Sequence, residues 1–261
     1  MLRRLIPVVC VLVGMTSNSA KNGMQAAETT GPIYELRTYH CEPGKLPALE
    51  ERFRNHTIQL FEKHGIRNLA YWTPAVDATS PPVDTLVYLL EYPSRKAAQE
   101  SWEHFRADPD WKRVTADSAA KHGKILARPP ESVFLCKTDY SPEIGPPKAG
   151  KIYELRIYQA APGKLEALHA RFRQHTDALF QKHGMQAYGY WAPLDPPAST
   201  ETLIYLLEFP DRTAVAERWD AFRNDPEWKK AFADSQVDGP LTSRRPDSLL
   251  LIVEPFSPVA K

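Results

Sequence analysis

An internal repeat constrains this chain more than any other feature of its sequence. Residues 33–74 occur again as residues 152–193, and 25 of the 42 aligned positions are identical. Residues 85–118 recur as residues 202–235 with 20 identities in 34, so the offset shortens from 119 to 117 within a proline-rich loop. This period is too long for a solenoid unit and is the length of a small domain. The chain is therefore predicted to contain one domain fold twice.

The composition excludes some classes of function. The chain has 261 residues, of which 43% are hydrophobic and 25% charged, and this length suits one large or two small domains. Its 33 basic and 32 acidic residues leave a net charge of +1, without the basic stripe typical of nucleic-acid binders. We expect no nucleic-acid partner. We also expect no metal site, because no Cys/His spacing indicates zinc.

Residues 1–20 have the layout of a secretory signal peptide. Arg3 and Arg4 precede an apolar run at residues 5–15, and small polar residues follow. The run is too short to span a bilayer, and it lacks the amphipathic, Arg-rich pattern of a mitochondrial presequence. We predict export to the periplasm or the exterior, with cleavage after Ser19 or Ala20 and no membrane association afterwards. An uncleaved anchor is the alternative.

Each repeat shows the element order strand, helix, strand, strand, helix, strand. Strands are predicted at residues 33–40, 68–74, 85–92 and 131–137, and again at residues 152–159, 187–193, 202–209 and 247–253. Long helices are predicted at residues 46–64 and 165–183, second helices are capped by Ser94 and Asp211, and short helices begin at Asp108-Pro109 and Asp225-Pro226. This order is that of a ferredoxin-like unit.

The predicted fold class is α+β. A ferredoxin-like sheet covers one face with helices, and the other face, expected to carry Tyr34, Leu36, Tyr88 and Leu90, needs a partner. We predict that the two βαββαβ repeats pack their sheets together as an intramolecular pseudo-twofold α/β barrel. Two independent domains would leave large apolar faces exposed. The expected state is a monomer with an internal pseudo-dimer, and a higher oligomer remains open.

The repeat also predicts the division of the chain. The segments are a signal peptide at 1–20, a flexible lead-in at 21–31, a first domain at 32–138, a linker at 139–150 and a second domain at 151–257.

The ordered motifs in both repeats resemble the NIPSNAP family. These motifs are YELR-x-Y followed by PGKL, a helix ending in KHG, a strand ending in YW-x-P, then YLLE[YF]-P and a D-P-[DE]-W turn, over residues 33–137 and 152–253. The resemblance implies a dimeric α/β-barrel fold. It implies little about function: animal members are associated with mitochondria and vesicle or quality-control roles. Fold relatives include cofactor-free monooxygenases, haem proteins and isomerases.

His56 and His175 are candidate site residues because each interrupts the apolar stripe of a long helix and recurs in both repeats. We expect both to point at the sheet. There an imidazole is either a proton shuttle or ligand contact, or a core histidine hydrogen-bonded to a strand or to Glu35. Haem ligation by either histidine is suggested by fold analogy alone, and we expect no cofactor.

Charged pairs on the first strand of each repeat are a second candidate. Glu35 and Arg37, with Glu154 and Arg156, lie two residues apart beside Tyr39 or Tyr158. They either bind a ligand in a cavity or form an ion-pair network at the barrel seam. In addition, aromatic pairs are predicted to line an apolar pocket or to pack in the core, namely Tyr71, Trp72, Tyr190 and Trp191.

The remaining recurrent polar residues are interpreted structurally. His64 and His183 are expected to cap helix C-termini, and Asp108 and Asp225 to cap helix N-termini beside the anchors Trp111 and Trp228. Cys41 and Cys136 are expected at opposite ends of neighbouring antiparallel strands, too far apart to pair.

Three functions remain open from sequence. The first is a binding module for a small apolar or aromatic ligand between helix and sheet, lined by His56, Tyr71, Trp72 and their repeats. The second is a cofactor-free oxygenase or isomerase with His56 as base and Arg37 stabilising an enolate-like charge. The third is a structural or interaction protein without a pocket.

Overall fold

The computed structural model describes residues 31–75 and 83–260. The predicted signal peptide, nearly all of the predicted lead-in and part of the proline-rich loop lie outside the described residues. The elements of the first half are β1 Ile33–His40, α1 Leu46–Arg52, α2 Ile58–Lys63, β2 Arg67–Pro74, β3 Thr85–Tyr92, α3 Arg95–Ala107, α4 Pro109–His122 and β4 Glu131–Lys137. Those of the second half are β5 Ile152–Gln159, α5 Leu165–Arg171, α6 Asp177–Lys182, β6 Gln186–Pro193, β7 Thr202–Phe209, α7 Arg212–Asn224, α8 Pro226–Asp234 and β8 Asp247–Val253.

The eight strands form one closed antiparallel barrel. Its order is β1-β3-β2-β8-β5-β7-β6-β4, so each half contributes four adjacent strands in the same internal order. The halves meet at two seams, where β2 pairs with β8 and β4 pairs with β6. The α+β barrel built from two repeats is therefore confirmed, and closure removes every free sheet edge from it.

The barrel interior is a packed apolar core. Tyr34 and Leu36 lie in it, as predicted. Tyr88 and Leu90 do not: they pair across the sheet with Arg37 and Glu35 and so share the outer, helix-covered face. The prediction for these two residues is wrong because TLVYLLEY is apolar on both faces. A continuous apolar run does not show which alternate residues face the barrel interior. Val87 and Leu89 fill the interior instead.

Helices cover the outer face of the barrel, and several of them begin or end where the sequence predicts. The Ser94 and Asp211 side chains accept hydrogen bonds from the amides of Ala97 and Ala214 at the starts of α3 and α7. Gly65 ends the first long helix at φ 74°, a conformation that disfavours any side chain. The helix after Asp108 is longer than predicted, because no glycine or proline interrupts it before Gly123.

Both long helices contain a π-helical turn. These turns, Phe53–Thr57 and Phe172–Thr176, join α1 to α2 and α5 to α6. In each, the amide after the turn bonds the phenylalanine carbonyl five residues back. A π turn adds one residue without adding a full helical step, and it changes which side chains face the sheet.

The two cysteines lie where the sequence predicts. Cys136 pairs with Ile33 at the start of β1, and Cys41 follows the end of β1. Both are free thiols. Burial raises the pKa of Cys41 to about 12, so this thiol is not a nucleophile at neutral pH.

Candidate ligand-binding site

The outer face of β1 carries a buried carboxylate with four hydrogen-bond donors. The Oε1 atom of Glu35 accepts from the Arg37 guanidinium and the Ser132 hydroxyl, both at 2.5 Å. Its Oε2 atom accepts from the Tyr92 hydroxyl and the Trp102 indole, both at 2.7 Å. A carboxylate offers about four acceptor positions. Glu35 therefore has no acceptor position left for a substrate proton.

Arg37 is held flat beside this carboxylate. Its Nε donates to the Tyr88 hydroxyl at 2.9 Å, and its guanidinium lies 4.4 Å from the ring centre of Trp102. Burial raises the pKa of Tyr88 well above its ordinary value, so this phenol is not a base at neutral pH. The Nη2 atom of Arg37 makes only a 3.5 Å contact, with the Tyr39 hydroxyl. Arg37 thus presents a fixed cationic plane with a weakly used donor.

The same network recurs on β5. Arg156 Nη1 and Ser248 Oγ donate to Glu154 Oε1 at 2.7 and 2.5 Å. The Trp219 indole donates to Glu154 Oε2 at 2.5 Å, and Arg156 lies 4.4 Å from the Trp219 ring centre. The repeat has therefore kept a Glu-Arg-Ser-Trp set in both halves, on the same strands and helices.

The second network has fewer hydrogen bonds than the first. Phe209 stands at the position of Tyr92 and brings no hydroxyl. The Tyr205 hydroxyl donates to the Tyr158 hydroxyl at 3.1 Å, and Arg156 Nε has no hydrogen-bond partner among the described residues. The Arg156 guanidinium thus makes fewer hydrogen bonds than the Arg37 guanidinium.

A groove lies between helices and sheet over each arginine. The first groove, over Arg37, has a volume of about 780 Å³ and five aromatic wall residues, Tyr39, Trp102, Phe105, Trp111 and Phe134. The second groove, over Arg156, has a volume of about 490 Å³ and seven, Tyr158, Phe172, Phe180, Trp219, Phe222, Trp228 and Phe232. Concave, mainly apolar sites of this size with a few fixed polar groups suit small organic ligands.

The structure places His56 and His175 outside both grooves, and their predicted orientation is wrong. The π turn shifts the helix phase by one residue, so Thr57 and Thr176 face the sheet and are 1% exposed. Each threonine hydroxyl bonds the carbonyl five residues back at 3.2 Å. The two histidines consequently lie on the exposed face of the helix. A regular helical period cannot reveal this shift.

Neither interpretation of these histidines fits their surroundings. His56 lies in a separate surface groove beside Glu51 and His122, and His175 lies near Lys182. Neither touches the buried glutamates. Haem ligation through them also does not fit, because both side chains face away from the aromatic grooves.

The predicted aromatic pairs are divided between the two faces of the sheet. Tyr71 and Tyr190 lie on the helix side, whereas Trp72 and Trp191 fill the barrel interior. All four are at most 1% exposed. Neighbouring strand residues point to opposite faces, so they cannot line one pocket, and here they are packing residues.

The last-turn histidines hydrogen-bond the caps of the next helices. His64 Nε2 lies 2.6 Å from Asp108, and His183 Nε2 lies 2.7 Å from Asp225. The same carboxylates accept backbone amide hydrogen bonds as N-caps. The lysine before each histidine, and then the histidine itself, hold the pKa of both carboxyls well below the usual range. The predicted N-caps are confirmed, and each capping carboxylate is also hydrogen-bonded to a histidine of the preceding long helix.

Sequence reasoning missed several groove residues. Ser132, Ser248 and the indoles of Trp102 and Trp219 recur in both repeats, so the repeat itself is the signal that marks them. Phe232 and Arg245 at the second groove have no counterpart, since Thr115 and Pro129 stand at the equivalent positions. Comparing repeats discards such residues, although they distinguish the two sites.

Both halves of the chain match one protein family. The NIPSNAP family model matches residues 34–142 and again residues 153–258, which is more than half of the chain. The chain belongs to the NIPSNAP family. No curated protein matches it.

Similar solved structures agree on the fold. An "anthrone oxidase-like protein" shares 16% identity with a TM-score of 0.53, covering 87% of this chain and 92% of its own. A "putative monooxygenase" from Lactobacillus acidophilus NCFM shares 11% identity with a TM-score of 0.52, covering 85% and 94%. Another from Fusobacterium nucleatum shares 12% with a TM-score of 0.52, covering 86% and 93%. At these identities the likeness shows the fold alone.

Two features are absent from the described residues. No helix within residues 31–75 and 83–260 is long and apolar enough to cross a membrane. In the same part of the chain, no group of three or more histidine, cysteine or carboxylate side chains is arranged to hold a metal ion.

Proposed function

We propose that this NIPSNAP protein binds a small, flat aromatic ligand in each of its two grooves. The observation that carries the proposal is the guanidinium at each groove floor, stacked on an indole and surrounded by aromatic walls. A flat ligand gains from both ring contacts and the cationic plane. Stability alone does not explain an arginine at this position, because a buried ion pair adds little folding stability compared with well-packed apolar side chains.

Binding is favoured over the oxygenase or isomerase alternative. That mechanism needs a base beside Arg37, and His56 faces solvent on the far side of its helix. The carboxylate at the floor already has four donors. Some fold neighbours are named as oxygenases or oxidases, but their similarity to this chain extends to the fold only and does not support the same chemistry here.

Titration calorimetry with 2-naphthamide, an uncharged flat aromatic, tests this proposal. Arg37→Lys and Arg156→Lys keep the ion pair with the glutamate but lose the planar stacking face. We expect the double variant to bind on the order of tenfold more weakly, the scale of a cation–π contact. His56→Ala and His175→Ala serve as outward-facing controls and should bind normally. Undetectable binding to the native chain, or equal binding by the double lysine variant, would contradict the proposal.

We also propose that the two halves are ferredoxin-like units related by a pseudo-twofold axis within a monomer. The support is their identical internal strand order and their two equivalent seams. Light scattering should give the mass of one chain. A crystal structure in which the halves fail to superpose would contradict the axis.

We propose, finally, that the protein is exported by a cleaved signal peptide. The support is the Arg3-Arg4 start, the apolar run and the small polar residues up to Ala20. Cell fractionation and N-terminal sequencing test this, and a full-length chain in the cytoplasm would reject it.

A further inference from the structure

The rim of the second groove is strongly basic. Arg223, Lys229 and Arg245 line it together with the floor residue Arg156. Within the described residues, Arg156 pairs with Glu154, whereas none of the three rim cations has a carboxylate within salt-bridge distance. The groove therefore holds three uncompensated positive charges beside a wall of aromatic rings.

The first groove lacks this excess charge. Its wall contains Arg95 and Arg106, but Glu103 lines the same wall. Arg95 is paired with Asp195 at 3.0 Å and lies 3.9 Å from the Phe134 ring centre. At the position equivalent to Arg245 the first half has Pro129. Cationic and acidic groups thus nearly balance in the first groove.

The second groove also has a larger aromatic wall. Phe222 and Trp228 lie 4.4 Å apart between ring centres, and Phe232 extends this wall at 5.6 Å from Trp228. Phe232 is 45% exposed, which is unusual for a large apolar side chain in this structure. The buried Arg171 lies 5.4 Å from the Phe232 ring centre. The ring is therefore held at the groove mouth, in a position to contact a bound ligand.

We propose that the second groove is a site for aromatic carboxylates, while the first takes uncharged aromatic ligands. This inference rests on the proposed ligand-binding function. The ring of the ligand packs against Trp228 and Phe232, and its anionic group is attracted by Arg245, Lys229 and Arg156. Lys229 and Arg245 are solvent-exposed, so salt screens their attraction for the anion, whereas the Arg156 side chain is only 16% exposed and attracts it more strongly.

The repeat supplies matched variants for the test. Arg245→Pro gives the second groove the residue of the first, and Pro129→Arg makes the reverse change. Lys230→Gln is the control, because Lys230 is on the same helix as Lys229 but pairs with Asp234 outside the groove. If Arg245→Pro fails to fold, Arg245→Gln replaces it.

Calorimetry with the whole chain should compare 2-naphthoate with 2-naphthamide, which has the same rings without the charge. We expect naphthoate to bind the native protein on the order of tenfold tighter, with the advantage shrinking at high salt. Arg245→Pro should bring the naphthoate affinity close to the naphthamide affinity of the same variant, and Pro129→Arg should create a second naphthoate site.

Each other outcome has a distinct meaning. Equal affinities for the two probes would overturn this inference and leave the proposed function standing. A naphthoate preference that survives Arg245→Pro and Lys229→Gln would overturn it as well. If neither probe binds, the proposed function fails first.

Discussion

The two grooves are built on the same floor and differ at the rim. Each floor has a glutamate on the first strand of its half, an arginine two residues on, a serine on the last strand and a tryptophan on a helix. Among the differences are Tyr92 against Phe209 in the network, and Pro129 and Thr115 against Arg245 and Phe232 at the rim. Shared residues are those that fix the charged plane in place. We infer that the floor is architecture and that the rim determines which ligand is chosen.

The largest expected effect comes from removing the floor glutamates one at a time. Glu35→Ala leaves Arg37 buried without its counter-ion and costs about 3–5 kcal/mol of unfolding free energy. Glu154→Ala should cost less, because one donor fewer is orphaned in the second network. Urea denaturation of both variants measures the difference. Equal costs, or a larger cost for Glu154→Ala, would show that the donor count does not rank the two networks.

Gly189→Ala should reveal a packing difference between the two halves. An added Cβ at Gly189 would clash with the Trp191 ring and lie 2.5 Å from Ile144. The equivalent residue in the first half, Ala70, is tolerated and fully buried. Overpacking of this kind costs about 2 kcal/mol. Thermal unfolding of Gly189→Ala measures it, and an unchanged melting temperature would mean that Trp191 moves aside freely.

Exchanging Tyr92 and Phe209 tests the network difference directly. Tyr92→Phe removes one hydrogen bond to a charged carboxylate and should cost about 1.5 kcal/mol. Phe209→Tyr offers Glu154 the donor that it lacks and should recover part of that amount. The double exchange should lie near the native stability in urea denaturation. A destabilising Phe209→Tyr would indicate that the second half has no room for the hydroxyl.

The smallest expected difference concerns acid stability, which should be the same in the two halves. The pKa of Asp108 and of Asp225 is lower in the folded protein than in the unfolded chain. Each carboxylate therefore stabilises the fold when the pH is above its pKa in the unfolded chain. This contribution is lost progressively as the pH falls below about 4.

Asp108→Asn and Asp225→Asn separate the charge from the cap, since asparagine also caps helices well. Melting temperatures measured across the acid range should fall less steeply in each variant than in the native protein, and by equal amounts. A change in one variant alone would show that the two caps are not equivalent.

The strands could be predicted from the sequence because their signal is local and is repeated. β1, β3, β4, β5, β7 and β8 have the predicted bounds, and β2 and β6 begin one residue earlier. Apolar and β-branched runs bounded by proline, glycine and polar turns determine these limits. The pairing of sheets followed from the uncovered faces, which need burial.

Side-chain direction was less predictable. One inserted residue in each π turn placed His56 and His175 in solvent, and no regular helical period contains that information. TLVYLLEY hid which of its faces the helices cover, since it is apolar on both. The second groove brings together Arg156, Phe232 and Arg245, which are far apart in the sequence, and they meet only once β5 pairs with β8 and α8 packs in the same half.

Barrel closure within one chain has a consequence for how such sites change over time. In a homodimer, any substitution in a gene appears in both subunits, so both sites change together. Here the two halves are separate stretches of one polypeptide, and Arg245 or Phe232 can arise in one without altering the other. Under the proposed function, one groove can retain its ligand preference while the other acquires a new one. A substitution in one half then leaves the groove of the other half unchanged.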